Sequence, residues 1–329
     1  MFKHTLSAVG FTFYVAVFFA FGIYAIHSIP VEKSQTVLRK TIPGFRAPGR
    51  TATIRTLREV NDYPNVDILF LGSSHAYRGF DPRMFQKHHY TSFNLGTTGQ
   101  TPLNSYYLLK RYINKLNPKL VIYELFPRTL ESSDGLESFY DIVTNSYADP
   151  TVLQMAFATH SPYAFRYMIT SYLERKVKRK LETFKGILQP NETYIPGGYV
   201  ETTGQGTIES REPKMMHIQS RQLSYLKDII ELLHEHQSKI LFVVHPLPQS
   251  TLEAFLNYQD ISQEINRYLS DLGVNFFDFN LLFPPYPDSN FFDWHHLNID
   301  GVQQFNEQLL TLLLKKHLLP KRRKDQETE

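Results

Sequence analysis

From Val66 onward the chain repeats one pattern: a short apolar run closed by Gly, Asn or Pro, then a longer stretch with apolar residues at helical spacing. The runs VDILFLG (66–72), YTSFN (90–94), KLVIYEL (119–125), KILFVVHP (239–246) and VNFFDF (274–279) predict strands. VDILFLG is nearly continuous in apolar residues, as a strand covered on both faces of a parallel sheet would be. Pro82 opens a helix over 82–88. Pro102 opens another through Tyr106, Leu109, Tyr112 and Ile113, an i, i+3, i+6, i+7 stripe. Further helices are predicted over 52–62, 163–185, 218–237, 261–272 and 300–316; the last carries Val302, Phe305, Leu309, Leu312 and Leu313. Strands alternating with helices imply an α/β domain, a parallel sheet with helices on both faces.

The region before this pattern is different. Thr5 to Ile26 holds no charged residue, with Lys3 before it and Glu32 and Lys33 after it. About 20 apolar residues in a helix cross the hydrocarbon core of a bilayer. Residues 1–4 then form a short cytoplasmic start, 5–26 a transmembrane signal anchor, and 27–64 a juxtamembrane connector punctuated by Pro30, Pro43, Gly44, Pro48 and Gly49. The single Lys before the run places the rest of the chain outside the cytoplasm, periplasmic or extracellular, on a single-pass protein of the cell membrane. A cleaved signal peptide is the alternative, and it too exports the domain. That domain covers 65–318, with a helical and loop insertion at about 133–216 and a charged tail at 319–329. Within the insertion, 188–214 reads as a long surface loop, and the ERKVKRK cluster reads either as a solvated helix face or as a contact for anionic lipid or polymer.

Composition narrows the function. Hydrophobic residues make up 42% of the 329 and charged residues 20%, which predicts a packed core. The net charge of +3 and the lack of any recognition motif give no nucleic-acid partner. With 0 Cys, disulfides, thiolate metal sites and a Cys nucleophile are excluded.

Three segments carry candidate chemistry, each at or after the C-terminal end of a predicted strand, where open parallel sheets bind ligands. In Leu71-Gly72-Ser73-Ser74-His75, a Ser at a tight strand-to-helix turn presents its hydroxyl at the sheet edge, although Ser is also a common helix cap. Asn94-Leu95-Gly96-Thr97-Thr98-Gly99-Gln100-Thr101 is a tight loop that exposes main-chain N–H groups. In Asp293-Trp294-His295-His296, the Asp-x-x-His spacing lets a carboxylate orient an imidazole as a general base. The His-His pair lacks further ligands at zinc-like spacing, so no metal and no cofactor is expected.

Taken in order, these blocks resemble the SGNH/GDSL hydrolase superfamily over about 65–318. The resemblance implies a flavodoxin-like three-layer sandwich with a parallel sheet. It implies Ser74, Asp293 and His296 as the catalytic residues, and the N–H groups of Ser74 and Gly99 as oxyanion donors. The sequence departs from the family twice. Ser73 stands where Asp usually precedes the nucleophile, as in divergent membrane-tethered branches. The Asn expected after the third strand is missing from Tyr123-Glu124-Leu125-Phe126-Pro127-Arg128. Either Arg128 or the Gln100 amide is expected to take over its donor role. His75, Gln100 and His245 are further expected substrate contacts, and Glu124 is expected as a buried partner of Arg78 or Arg128.

The membrane-tethered branch is similar to the exported O-acetyltransferases of bacterial polysaccharides, such as the alginate acetylation proteins. It is similar also to the proteins that work beside membrane-bound O-acyltransferases in teichoic acid D-alanylation. This implies an esterase or acyltransferase acting on ester-linked acyl groups of a cell-envelope glycan, with a membrane-bound O-acyltransferase as a partner. The alternative is a catalytically silent glycan-binding or assembly protein that keeps the fold.

Overall fold

The structure, a computed structural model, describes residues 52–321 except 148, 179–185, 187 and 210, together with isolated positions between 14 and 36. Apart from a few such positions the apolar run 5–26 lies outside the described residues, and so does most of the connector 27–51 and the tail from 322. Among the described residues no helix is long and apolar enough to cross a membrane.

The strands are β1 (Ile68–Gly72), β2 (Ser92–Asn94), β3 (Leu120–Glu124), β4 (Glu192–Ile195), β5 (Tyr199–Thr202), β6 (Lys239–Val244) and β7 (Asn275–Asp278). The central sheet has the order β2-β1-β3-β6-β7, and each neighbouring pair is parallel. With the β4-β5 hairpin set aside, this is the 2-1-3-4-5 order of flavodoxin-like sheets. Its topological switch falls between β1 and β3, and ligands bind beyond the strand ends at that point.

Period-2 alternation assigns the strand side chains to two faces. Leu69, Leu71, Val121, Tyr123, Ile240 and Phe242 join one core; Ile68, Phe70, Leu120, Ile122, Leu241 and Val243 join the other. The first core is covered by α1 (Thr53–Glu59), α4 (Pro102–Leu116), α5 (Leu136–Asn145), α6 (Pro150–Ala158), α7 (Pro162–Lys178), α8 (Ser220–Glu235) and α10 (Tyr258–Asp271). The second is covered by α2 (Ser74–Gly79), α3 (Pro82–Lys87) and α11 (Ile299–Lys315). A short α9 (Gln249–Ala254) follows β6. Phe70, Phe80 and Phe305 are fully buried, and each such side chain contributes about 1.5–3 kcal/mol over an exposed one.

Two boundaries differ from the sequence reading. Helix α1 buries Ile54 and Leu57, and Thr53 Oγ1 donates to Asp141 Oδ2 at 2.6 Å, so the last part of the expected connector belongs to the core. The expected surface loop 188–214 contains the β4-β5 hairpin, with Tyr199 and Val200 buried. The hairpin is held by distant groups. The Asn94 N–H donates to Gly197 O at 2.8 Å, and the Gly197 N–H to Glu59 Oε1 at 3.1 Å. Gly198, at φ +85°, lies so close that a Cβ there would come within 2.2 Å of Asn94 O.

Candidate active site

Strand β1 ends in Gly72, whose φ of +140° and closeness to β3 exclude a side chain: a Cβ would lie 2.5 Å from Glu124 O. The chain then turns sharply into α2. Ser73 is the N-cap, its Oγ accepting from the His75 N–H at 3.3 Å. The capping duty falls on Ser73, and Ser74, one residue on, opens the helix with its hydroxyl directed elsewhere.

That hydroxyl meets the loop before α11. Ser74 Oγ lies 2.8 Å from His296 Nε2, and His296 Nδ1 lies 2.8 Å from Asp293 Oδ2. Asp293 Oδ1 also accepts the N–H groups of His295 (2.9 Å) and His296 (2.8 Å). One carboxylate thus closes the tight turn and orients the imidazole. Bound to Asp293 through Nδ1–H, His296 presents a bare Nε2 to the serine hydroxyl, the tautomer a general base requires.

Burial works against the charged form of His296 while Asp293 favours it, and the outcome is a pKa below the ordinary histidine value. The Arg78 charge pushes the same way. For Asp293, burial alone would raise the pKa; the hydrogen bond and charge of His296 overcome it and hold the carboxyl well below its usual range. The pair is therefore an ionised acid beside a neutral base.

The triad opens into a cleft with a cavity volume of ≈ 440 Å³, walled by the α2 start, the Thr98-Gly99 turn, the segment 126–132 after β3, Glu137 of α5 and Trp294. Gly99 has φ +61°, and a Cβ there would press on the Glu137 carboxylate at 2.8 Å. Among the described residues, neither the Ser74 nor the Gly99 N–H has an acceptor in the chain. Both are available to a ligand oxygen.

Arg128 lines the cleft, with its guanidinium 5.3 Å from the Trp294 ring centroid and its Nε 3.8 Å from Glu131. Arg211 lies 4.0 Å from the same ring. Arg78 also lines the cleft; it pairs with Glu192 at 2.6 Å and donates to Thr202 Oγ1 at 2.8 Å, which fastens the hairpin to the nucleophile's helix.

Two expected contacts are placed elsewhere, and a third lies at the cleft wall with its nitrogens already engaged. Gln100 is fully buried: its Oε1 accepts from Thr97 Oγ1 at 2.8 Å and its Nε2 donates to Ser105 Oγ at 2.9 Å. Both ends of the amide are committed, so it is neither a cleft residue nor a substitute for the missing Asn. His245 is buried behind the site, with Nδ1 3.2 Å from Glu124 Oε1 and Nε2 3.0 Å from His295 O. His75 reaches the cleft wall, but both ring nitrogens are taken, Nδ1 by Ser73 Oγ at 3.0 Å and Nε2 by His295 Nδ1 at 2.8 Å. Glu124 pairs with neither arginine and sits with Ser73, His75 and His245.

These contacts gather ligand-type atoms that are scattered in the sequence. His75, His295 and His296, and likewise His75, Glu124 and His245, bring such atoms within 4.8 Å of one another. The first group includes the base of the triad. His75 bonds to His295 at 2.8 Å, His245 to Glu124 at 3.2 Å, and His75 reaches Glu124 through Ser73, while both ring nitrogens of His296 are taken by Ser74 and Asp293. Trp294, Glu137 and Thr98 carry no sequence signal as cleft walls, since each looks like an ordinary helix or turn residue.

No family model matches the chain, and no curated protein matches it. Among solved structures, it is similar to a proposed acylhydrolase from Bacteroides fragilis (13% identity, 80% of this chain and 96% of that one, TM-score 0.42). It is similar to a GDSL-like lipase from Bacteroides thetaiotaomicron (11% identity, 81% and 98%, TM-score 0.42). A further likeness is to a family two carbohydrate esterase from Clostridium thermocellum (14% identity, 77% and 65%, TM-score 0.36). Likenesses this distant assign neither family nor activity to this chain.

Proposed function

We propose that this protein is a membrane-anchored SGNH-type serine esterase or O-acyltransferase acting on ester-linked acyl groups, acetyl above all, of a cell-envelope glycan. One observation carries the chemistry: Ser74 Oγ and His296 Nε2 lie 2.8 Å apart, with Asp293 2.8 Å behind the imidazole. In this reading His296 takes the Ser74 proton as Oγ attacks the ester carbonyl. The tetrahedral oxyanion accepts the N–H groups of Ser74 and Gly99, and Arg128 in the cleft wall supplies a third donor. The proton then passes from His296 to the leaving alkoxide, and acyl-Ser74 remains. Water or a sugar hydroxyl next gives its proton to His296 and attacks; His296 returns that proton to the departing Ser74 Oγ, and the acyl group leaves as acid or as a new ester.

The anchor rests on the uncharged run Thr5–Ile26, and the glycan and a membrane-bound O-acyltransferase partner rest on resemblance to tethered SGNH proteins. A silent binding protein has no need of an ionised Asp aligned on a neutral His aligned on a Ser, which favours the enzyme.

The test is labelling with a fluorophosphonate probe. Wild type is expected to label at Ser74 and Ser74→Ala not at all. An unlabelled wild type, or a labelled Ser74→Ala, would remove the nucleophile. Acetate release from an acetylated sugar then separates hydrolysis from transfer, in which the acyl group moves to a glycan with little release.

A further inference from the structure

Behind the triad lies a closed circuit of hydrogen bonds. Glu124 Oε1 meets His245 Nδ1 at 3.2 Å, and His245 Nε2 meets His295 O at 3.0 Å. Returning the other way, Glu124 Oε2 meets Ser73 Oγ at 3.4 Å, Ser73 Oγ meets His75 Nδ1 at 3.0 Å, and His75 Nε2 meets His295 Nδ1 at 2.8 Å. The ends of β1, β3 and β6 are thereby joined to the loop that carries Asp293 and His296. Ser73, His75, Glu124 and His245 are all at most 2% exposed. A buried polar group left without a partner is costly, so a circuit in which each atom has one strongly favours a single arrangement.

We infer that His245, Glu124 and His75 are positioning residues, which hold the His295-His296 segment so that His296 meets Ser74; as a claim about catalysis this rests on the reading proposed above. Two adjacent pairs cross the same gap in parallel. Ser74 faces His296, and their chain neighbours His75 and His295 face each other. The loop is also held by its own turn on Asp293, a Phe292 N–H to His296 O bond at 2.8 Å, the Thr251 hydroxyl on Trp294 O, Arg211 against Trp294 and Phe126 stacked on His295.

Proton counting fits the circuit. The His295 carbonyl only accepts, so His245 Nε2 carries a proton, and the Nδ1–Glu124 contact holds a further one, on Nδ1 or on the carboxyl. The His75–His295 contact needs one protonated and one bare nitrogen. Burial, reinforced by neighbouring histidines, lowers the pKa of both rings and keeps them neutral, able to donate from one nitrogen and accept at the other.

The circuit has a readout independent of activity. In histidine-labelled ¹⁵N protein at neutral pH, a through-hydrogen-bond ¹⁵N–¹⁵N coupling is expected between His75 Nε2 and His295 Nδ1. Its absence overturns the circuit. So does a stoichiometric divalent metal that co-purifies and is stripped by a chelator, because the same atoms would then be ligands.

The positioning role is read from the kinetics of Ser74 labelling by the fluorophosphonate. His245→Ala is expected to lower the maximal rate about 100-fold, the scale of a 1 Å misplacement, with half-saturation within about twofold. His245→Gln, whose amide nitrogen can stand in for Nε2, should recover to within about tenfold of wild type, and His245→Asn should not. Circular dichroism checks that each variant folds; if His245→Ala does not, the Gln and Asn pair carries the comparison. Wild-type rates in His245→Ala, or equal losses in Gln and Asn, would overturn positioning. Labelling that persists in Ser74→Ala sinks the esterase reading instead, and the NMR coupling still judges the circuit.

Discussion

Ser74 and His296 are separated by 222 positions and meet at 2.8 Å. The turn after strand β1 delivers the first and the loop before α11 the second. Asp293 lies three residues from the base it orients, so the acid and base arrive as one preformed turn and only the serine comes from afar.

Replacing Asp293 by Asn should leave the loop nearly isosteric and spoil the tautomer. In the Ser-His-Asp template that change costs about 10⁴ in rate. Labelling of Asp293→Asn at least about a thousandfold slower than wild type is expected. A loss under tenfold would mean that Asp293 does not orient His296.

The dependence of labelling on pH follows from the lowered His296 pKa. Reaction needs the neutral ring, so the rate falls as pH drops through that pKa. An unperturbed histidine would show this limb near pH ~6.5; here it is expected lower, with a level rate above. Since the Arg78 charge contributes to the lowering, Arg78→Gln should move the limb upward. A wild-type limb at or above the ordinary value contradicts the assignment of the base.

Stability should fall on the acid side for a related reason. Burial lowers the pKa of His75, His295 and His296 in the folded chain, while in the unfolded chain they titrate near ~6.5. Below that value the unfolded state binds more protons, and stability declines as pH falls, by up to about 1.4 kcal/mol per pH unit for each ring. Urea midpoints from pH 7 to pH 5 measure the slope. A His75→Asn variant should flatten it, and a wild-type midpoint constant over that window would contradict neutral buried rings.

Gly72→Ala places a methyl 2.5 Å from the Glu124 carbonyl at a φ of +140°. A destabilisation of about 3 kcal/mol or more is expected in denaturant unfolding. A loss under about 1 kcal/mol would mean that the β1–β3 strand ends separate easily.

Arg128→Ala addresses the proposed third oxyanion donor. Loss of an oxyanion donor costs about 10²–10³ in turnover. Such a loss, with little change in half-saturation, is expected in ester hydrolysis. A variant changed only in half-saturation would make Arg128 a wall of the cleft beside Trp294 and nothing more.

Much of this arrangement was legible in the sequence. The apolar runs marked the central strands, and Pro82 and Pro102 marked helix starts within a residue. Gly72-Ser73-Ser74 and Asp293-x-x-His296 could be read because each places its chemistry within a few positions. What could not be read depended on distant partners. The hairpin around Tyr199 has no clean alternation, since it is held by Glu59, Asn94 and Arg78. Gln100 looked like an exposed loop amide, yet Thr97 and Ser105 draw it into the core. Glu124 and His245 read as isolated polar residues near strand ends and His75 and His295 only as neighbours within the two motifs; the parallel register of β1, β3 and β6 and the docking of the last loop gather them.

The pairing of an early serine with a late imidazole also bears on biosynthesis. A chain emerging from the ribosome carries Ser74 long before His296 exists, so a chain stopped short of the last loop holds no triad. Under the proposed mechanism, reactivity would require that the loop before α11 dock against the start of α2.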